Sequence, residues 1–219
     1  MAGFFEENSE SIATRVAIAL NKLGLAMKTR AWAGAGARGL TPTQGQILAL
    51  LRARGRALRL TQVAGELGIS APTASDSVRA LVHKGLVQKT RSKDDARAIA
   101  LELTTSGEAE AECAASFSDF LLGAIDSLSQ AEQEAFFVAL IKMIGVLVER
   151  GQLPTQRMCP TCRYFRPSEC PEGLGPHHCA LVDAPLSPRH LRIDCGEYAP
   201  AGEDVMRHSL RVLAAVGSS

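Results

Sequence analysis

LTQVAGELGISAPTASDSVRALVHKGL, spanning Leu60–Leu86, reads as two short helices joined by a tight turn. Thr61 is placed to cap the first helix, which carries Val63, Ala64 and Leu67 and stops at Gly68. Ser70-Ala71-Pro72 then restarts a helix that runs through Val78, Leu81 and Val82 to Gly85. Two helices around a turn containing Gly68, the second opening on small and hydroxylated residues, are a helix-turn-helix signature.

The residues that follow add a second layer. Leu86–Arg91 and Ala98–Thr104 alternate like two strands on either side of a polar, cationic tip, Ser92–Arg97, and so predict a β-hairpin wing. Working outward, Ile12, Val16, Leu20, Leu23 and Met27 line one stripe of a long first helix that ends in the glycine-rich Ala33–Gly39. Thr41-Pro42-Thr43-Gln44 is a capping box that starts another helix before Ile47–Leu51. Beyond Gly107 two helices are expected. One bears Phe117, Phe120, Leu121, Ile125 and Leu128; the other is capped by Ser129 and Glu132 and bears Phe136, Leu140, Ile144 and Leu147. Apolar helices at both ends of such a domain are expected to pack against a second copy, giving a homodimer.

The chain has 219 residues, 46% of them hydrophobic and 21% charged, which suits one domain plus a smaller module. Its start, MAGFFEENSE, is acidic, and the apolar face after it is broken by Asn21 and Lys22, so neither a signal peptide nor a membrane span is expected and the protein reads as cytoplasmic. Net charge is +1, but the charge is not evenly spread. Arg52–Arg97 carries ten Lys or Arg against Glu66, Asp76, Asp94 and Asp95, a surplus of +6. A basic segment in a neutral chain is the footprint of a phosphate-binding surface, hence of double-stranded DNA as partner. Small residues at the start of the second helix, Ser70, Ala71, Thr73 and Ser75, would let it approach base edges. Arg79 and the wing cations Arg91, Lys93 and Arg97 complete the candidate DNA-binding set.

LTQVAGELGIS, then VRALVHKGLVQKTRS, then Asp95-Ala96-Arg97 and LELTTSG resemble, in that order, the MarR family of bacterial winged-helix regulators. The resemblance spans roughly the first 150 residues. It implies a wing whose Arg97 enters the DNA minor groove, with Asp95 orienting a nearby guanidinium, and a dimer built from helices of both chain ends. Two reading heads about one helical turn apart would then fit a near-palindromic operator. A small-molecule effector bound between dimer helices and the winged domain is also implied.

Five of the six cysteines fall outside that resemblance, in C-x2-C-x7-C-x8-C-x15-C from Cys159 to Cys195. Thiols so concentrated in a chain without an export signal are expected to stay reduced and bind metal. Seven of the ten prolines lie between Pro160 and Pro200, so a bound centre is the expected staple of a loop-rich module. The candidate ligands are Cys159, Cys162, Cys179 and Cys195, with Cys170 as a possible substitute. The widening intervals favour an iron–sulfur cluster, whose irons are reached separately. Zinc is the alternative, with His177 or His178 able to enter its tetrahedron. Without Cys170 the order C-x2-C-x16-C-x15-C is similar to that of high-potential iron–sulfur proteins and related small [4Fe–4S] modules. Arg163 and Arg166 are placed to lower thiol pKa or donate to sulfur, and Cys113 reads as a small buried residue.

The expected class is therefore mainly α with a β-hairpin wing: a winged helix-turn-helix flanked by dimerisation helices over residues 1–151, and a cysteine-rich module with a short C-terminal helix over 152–219. No nucleotide loop, Ser/His/Asp pattern or paired acid argues for an enzyme. The expected function is DNA-binding transcriptional regulation with a [4Fe–4S] cluster sensing redox state, oxygen species or iron supply. The alternative is a structural zinc with a small molecule as signal.

Overall fold

A computed structural model describes residues 9–91, 99–116, 119–170 and 175–215. These form two compact units, one drawn from Met1–Arg59 and Ser75–Leu122, the other from Leu60–Ala74 and Gly123–Ser219.

In the first unit a long helix, α1 (Ile12–Gly36), is capped by Ser11, whose side chain accepts from the backbone of Thr14. Of its residues only Ala35 is buried, and Ile12, Val16, Leu23, Met27 and Trp32 are exposed. Helix α2 (Pro42–Arg54) opens on the expected reciprocal capping box between Thr41 and Gln44 and stops at Gly55 in the left-handed region. Its buried face, Ile47, Leu48, Leu50 and Leu51, packs along a later helix, α5 (Thr105–Ala115). Arg38 makes a paired contact to both carboxylate oxygens of Glu110, at 2.9 and 3.0 Å.

The sheet of this unit has three strands, not two. β1 (Leu58–Arg59) pairs with β3 (Ile99–Leu103), which pairs in turn with β2 (Val87–Arg91), all antiparallel. The hairpin register runs from Val87 opposite Leu103 to Arg91 opposite Ile99. The wing tip, with Lys93, Asp95 and Arg97, lies outside the described residues.

Between the strands and β1 the chain forms α3 (Leu60–Leu67) and α4 (Ala71–His83). Thr61 sits inside the first turn of α3 rather than capping it, because the helix follows β1 without a gap. Gly68, at φ 63°, ends α3, and the amide of Ile69 donates to Ala64. Ser70 caps α4, accepting from the amide of Thr73 at 3.2 Å.

After β3, Thr104 starts a helix that the expectation of two helices beyond Gly107 omitted. Its hydroxyl donates to Gly85 O at 2.7 Å and accepts from Gly107 N at 3.0 Å, which caps α5 against the end of α4's turn. Cys113 is half-buried on this helix. A short α6 (Phe120–Ile125) and α7 (Gln130–Glu149) follow, α7 with the expected Ser129–Glu132 capping box.

The second unit builds its core from α7, the cysteine segment and α8 (Glu203–Ala215). Ile141, Met158, Cys162, Phe165, Leu191, Leu210 and Leu213 are its buried members. The cysteine segment contributes a small antiparallel sheet, β4 (Phe165–Arg166), β5 (His177–Cys179) and β6 (Ala184–Leu186), in that order. No described helix is long and apolar enough to cross a membrane.

Gly107 is the tightest point of the first unit: a Cβ there would meet the carbonyl oxygen of Leu86 at 1.9 Å. Gly107→Ala should therefore lower unfolding stability by about 2–4 kcal/mol through a backbone clash that cannot relax. Gly65, in the exposed part of α3 with nothing within 4 Å of a built Cβ, is the control. Gly65→Ala should raise stability by about 0.5–1 kcal/mol. Urea unfolding of both variants, followed by circular dichroism, checks the contrast.

Candidate functional site

Two sites emerge from the elements just described. The first is the exposed start of α4. Ser70 and Thr73 are solvent-facing, with their hydroxyls 2.8 Å apart; Ser75 is half-buried; and Arg79 is exposed, 3.1 Å from Asp76. Ser70 is thus both the helix cap and the first exposed hydroxyl, and the Arg79–Asp76 pair is open enough to exchange for another anion. Arg91 is exposed at the end of β2. Lys84, though exposed, is engaged at the α2 capping box, donating to Gly39 O and to Gln44 Oε1 at 3.0 Å.

The second site lies wholly within the cysteine segment. A cavity of about 620 Å³ is walled by Cys159, Cys162, Cys179 and Cys195, together with Tyr164, Phe165, Leu186 and Leu191. These are the four thiols singled out by spacing. Cys159 opens a one-turn 3-10 helix, Cys159–Thr161, that brings Cys162 alongside it. Cys179 is the last residue of β5, opposite Phe165 of β4. Cys195 is carried by an irregular loop. Among the described residues, no three His, Cys, Asp or Glu side chains are drawn together tightly enough to hold a single metal ion.

Backbone hydrogen bonds fix one thiol at the cavity wall. The backbone amide of Arg192 donates to Cys159 Sγ at 3.2 Å, and the amide of Cys159 donates back to Arg192 O at 3.0 Å. Burial pushes the Cys159 thiol up to about 11, and the neighbouring Cys195, Cys162 and Cys179 push in the same direction against the lowering effect of the Arg192 amide.

The remaining candidates fall elsewhere. Cys170, half-buried after β4, is not among the cavity-lining residues. His177 is fully buried against Phe165, ring centroids 5.1 Å apart, and accepts at Nδ1 from the amide of Ser168, while burial lowers its pKa. His178 sits 3.2 Å from Asp183. Neither lines the cavity. Arg163 lies over the Tyr164 ring, and Arg166 donates to the carbonyls of Arg163 and Phe165, so neither guanidinium serves the thiols as anticipated. The groups that do line the cavity and were not foreseen are Arg189, His190 and Arg192. They come from the turn after β6, and only the pairing of β5 with β6 brings them there.

Comparison with known proteins bears on the first site. The model of the MarR family matches residues 40–99, a shorter span than the first 150 residues. The described part of that span holds α2, β1, α3, α4 and β2. The S. aureus MepR–DNA complex shares 28% identity over 60% of this chain and 97% of that one, with a TM-score of 0.52. S. aureus MepR in its DNA-binding conformation shares 28% identity over 60% of this chain and 98% of that one, with a TM-score of 0.54. The winged-helix fold is common to all three. No curated protein matches the chain. The residues matched by the family model end before the cysteine segment begins.

The thiol geometry sets a reactivity order. In folded, metal-free protein at about pH 8, Cys159 should be alkylated about a hundredfold more slowly than in the urea-unfolded chain, since two units of pKa remove that much thiolate. Timed iodoacetamide labelling read by peptide mass spectrometry checks this. An equal rate in both states would mean that Cys159 is not buried among the other thiols.

Proposed function

We propose that this chain is a homodimeric, sequence-specific DNA-binding transcriptional regulator of the MarR type, cytoplasmic and without enzymatic activity, whose residues 152–219 hold a [4Fe–4S] cluster that senses redox state, oxygen species or iron supply. The DNA-binding part is supported by the family match over residues 40–99 and by likeness to MepR solved with DNA. The start of α4, Ser70, Thr73, Ser75 and Arg79, would lie in the major groove. Arg91 and Lys93 would contact phosphate, and Arg97, steadied by Asp95, would enter the minor groove. Support for the dimer comes from α1, whose stripe residues Ile12, Val16, Leu23 and Met27 are exposed in the single chain.

The observation that carries the cluster is the single cavity shared by Cys159, Cys162, Cys179 and Cys195. The four thiols share a space of about 620 Å³ and, among the described residues, no three ligand side chains close on one point, which favours a cluster whose irons are reached separately over one zinc, which gathers sulfurs at about 2.3 Å. The signal has a physical route. Cys162 lies in the same buried core as Ile141 of α7 and Leu210 and Leu213 of α8. Loss of the centre would loosen the packing of α7, a dimer helix in this reading, and shift the spacing of the two reading heads.

A second reading, structural zinc with a small-molecule effector, is favoured by one observation. The first unit has a cavity of about 440 Å³ walled by Met27, Ala31 and Trp32 of α1, Pro42 and Ala49 of α2, and Ala114 of α5. That size and lining would admit a small aromatic compound.

Protein purified without oxygen should be brown, with a broad visible band and about four irons and four sulfides per chain. Operator affinity, measured by fluorescence anisotropy, should differ between the cluster-bound and cluster-free dimer. Colourless protein with one zinc and equal affinity would overturn the sensing part and favour the second reading. Arg91→Ala should weaken operator binding and reduce the slope of log K against log[salt] by about 0.9, the loss of one neutralised phosphate. An unchanged slope would remove that contact.

A further inference from the structure

Three of the four cavity thiols stand on regular structure. Cys159 and Cys162 belong to the 3-10 turn, and Cys179 to a paired strand. Cys195 has no such support, since its loop is irregular and is entered through Asp194 at φ 63°, in the left-handed region that a non-glycine residue occupies only when held there.

Arg157 grips this loop from both sides. Its backbone carbonyl accepts from the amide of Cys195 at 2.9 Å. Its Nη2 donates to the carbonyls of Cys195 at 2.9 Å and Gly196 at 3.1 Å. Its Nε lies 3.3 Å from Asp194 Oδ1, an ion pair without hydrogen-bond alignment. Its guanidinium stacks on the Tyr198 ring, 5.4 Å from the centroid, and the Tyr198 hydroxyl donates to Thr161 O at 3.2 Å inside the CxxC turn. One planar cation thus ties the ligand loop to the turn bearing Cys159 and Cys162, yet it is not among the residues lining the cavity.

We infer that Arg157 is a positioning residue which presents Cys195 to the thiol cavity, and that the fourth thiol is the detachable one. This rests on the reading of the four thiols as ligands. A lysine keeps the charge but not the planar fork that reaches two carbonyls and a carboxylate while stacking on a ring.

The test uses the full-length protein, loaded with iron and sulfide without oxygen, as wild type, Arg157→Lys, Arg157→Gln and Cys195→Ser. Each is treated with ferricyanide and followed by electron paramagnetic resonance. A [4Fe–4S]2+ cluster that releases one Fe2+ and gives one electron to ferricyanide becomes [3Fe–4S]+, which is paramagnetic. Arg157→Lys should make this conversion about tenfold faster than wild type, approaching Cys195→Ser, with an unchanged far-ultraviolet spectrum. Arg157→Gln should do the same, and Arg157→Lys decides the matter if that variant does not fold. Conversion of Arg157→Lys at the wild-type rate while Cys195→Ser converts fast would overturn the inference. If wild type takes up zinc instead of iron, the cluster reading fails by itself. Cobalt(II) loading then counts thiolates: a three-thiolate spectrum in Arg157→Lys supports the inference and a four-thiolate spectrum overturns it. If wild type binds neither metal, both fall.

Discussion

Cys162 is 9% exposed, inside an apolar core that the cysteine segment cannot make alone. The segment supplies Met158, Phe165 and Leu191, three buried apolar side chains in a stretch dominated by turns and proline. The rest comes from two helices: Ile141 on α7, and Leu210 and Leu213 on α8. Each such side chain contributes about 1.5–3 kcal/mol on burial, against roughly 1–2 kcal/mol for ordering each loop residue, so a module without these helices would not close. The two helices can approach because Gly145 faces Leu210: a Cβ at that position would stand 2.5 Å from Leu210 Cδ2. The thiol cavity, the small sheet and the clamp at Arg157 all hang on this contact.

The first unit solves a different problem, that of closing a two-residue strand and a hairpin onto helices. Its solution is local and backbone-driven. Thr104 bonds Gly85 and Gly107, its amide donates to Leu86 O, and Gly107 leaves room for that same carbonyl. Held at its base in this way, the hairpin presents the exposed Arg91 at the end of β2. That fits a chain whose positive charge is concentrated between Arg52 and Arg97 while its net charge is only +1.

What was legible in the sequence was what depends on neighbours in the chain. Both capping boxes, Thr41 with Gln44 and Ser129 with Glu132, are three-residue interactions and stand where their letters put them. Helix α5 was missed because its start is hidden in the run Thr104–Gly107, which reads as a strand end. Its body, rich in Ala and Glu, shows no apolar stripe. β1 could not be read at all, since a two-residue strand exists only through its partner Leu101 and Ala100. In the cysteine segment, spacing picked out the four thiols that share a cavity, because a CxxC turn constrains two of them directly. Spacing was silent on Arg189, His190 and Arg192, which reach the cavity through the β5–β6 pairing. His178 precedes Cys179 in the strand, and alternation sends it to the opposite face, beside Asp183.

The shared core also sets the limit on what a sensor here can do. A bound centre shifts a conformational equilibrium only by the difference in its affinity for the two states. A centre on a tail joined by a free linker would have no such difference, however tightly it bound. Cys162 is packed with Ile141, so any movement of α7 must either move that thiol or open the core around it, and on the proposed reading ligation would resist both. Cys195 is held differently, by the backbone and side chain of Arg157 instead of a core. On the proposed reading, a thiol buried with a helix and a half-buried thiol presented by Arg157 would be the two halves of a chemical switch: one to feel the helix, the other to open to solvent.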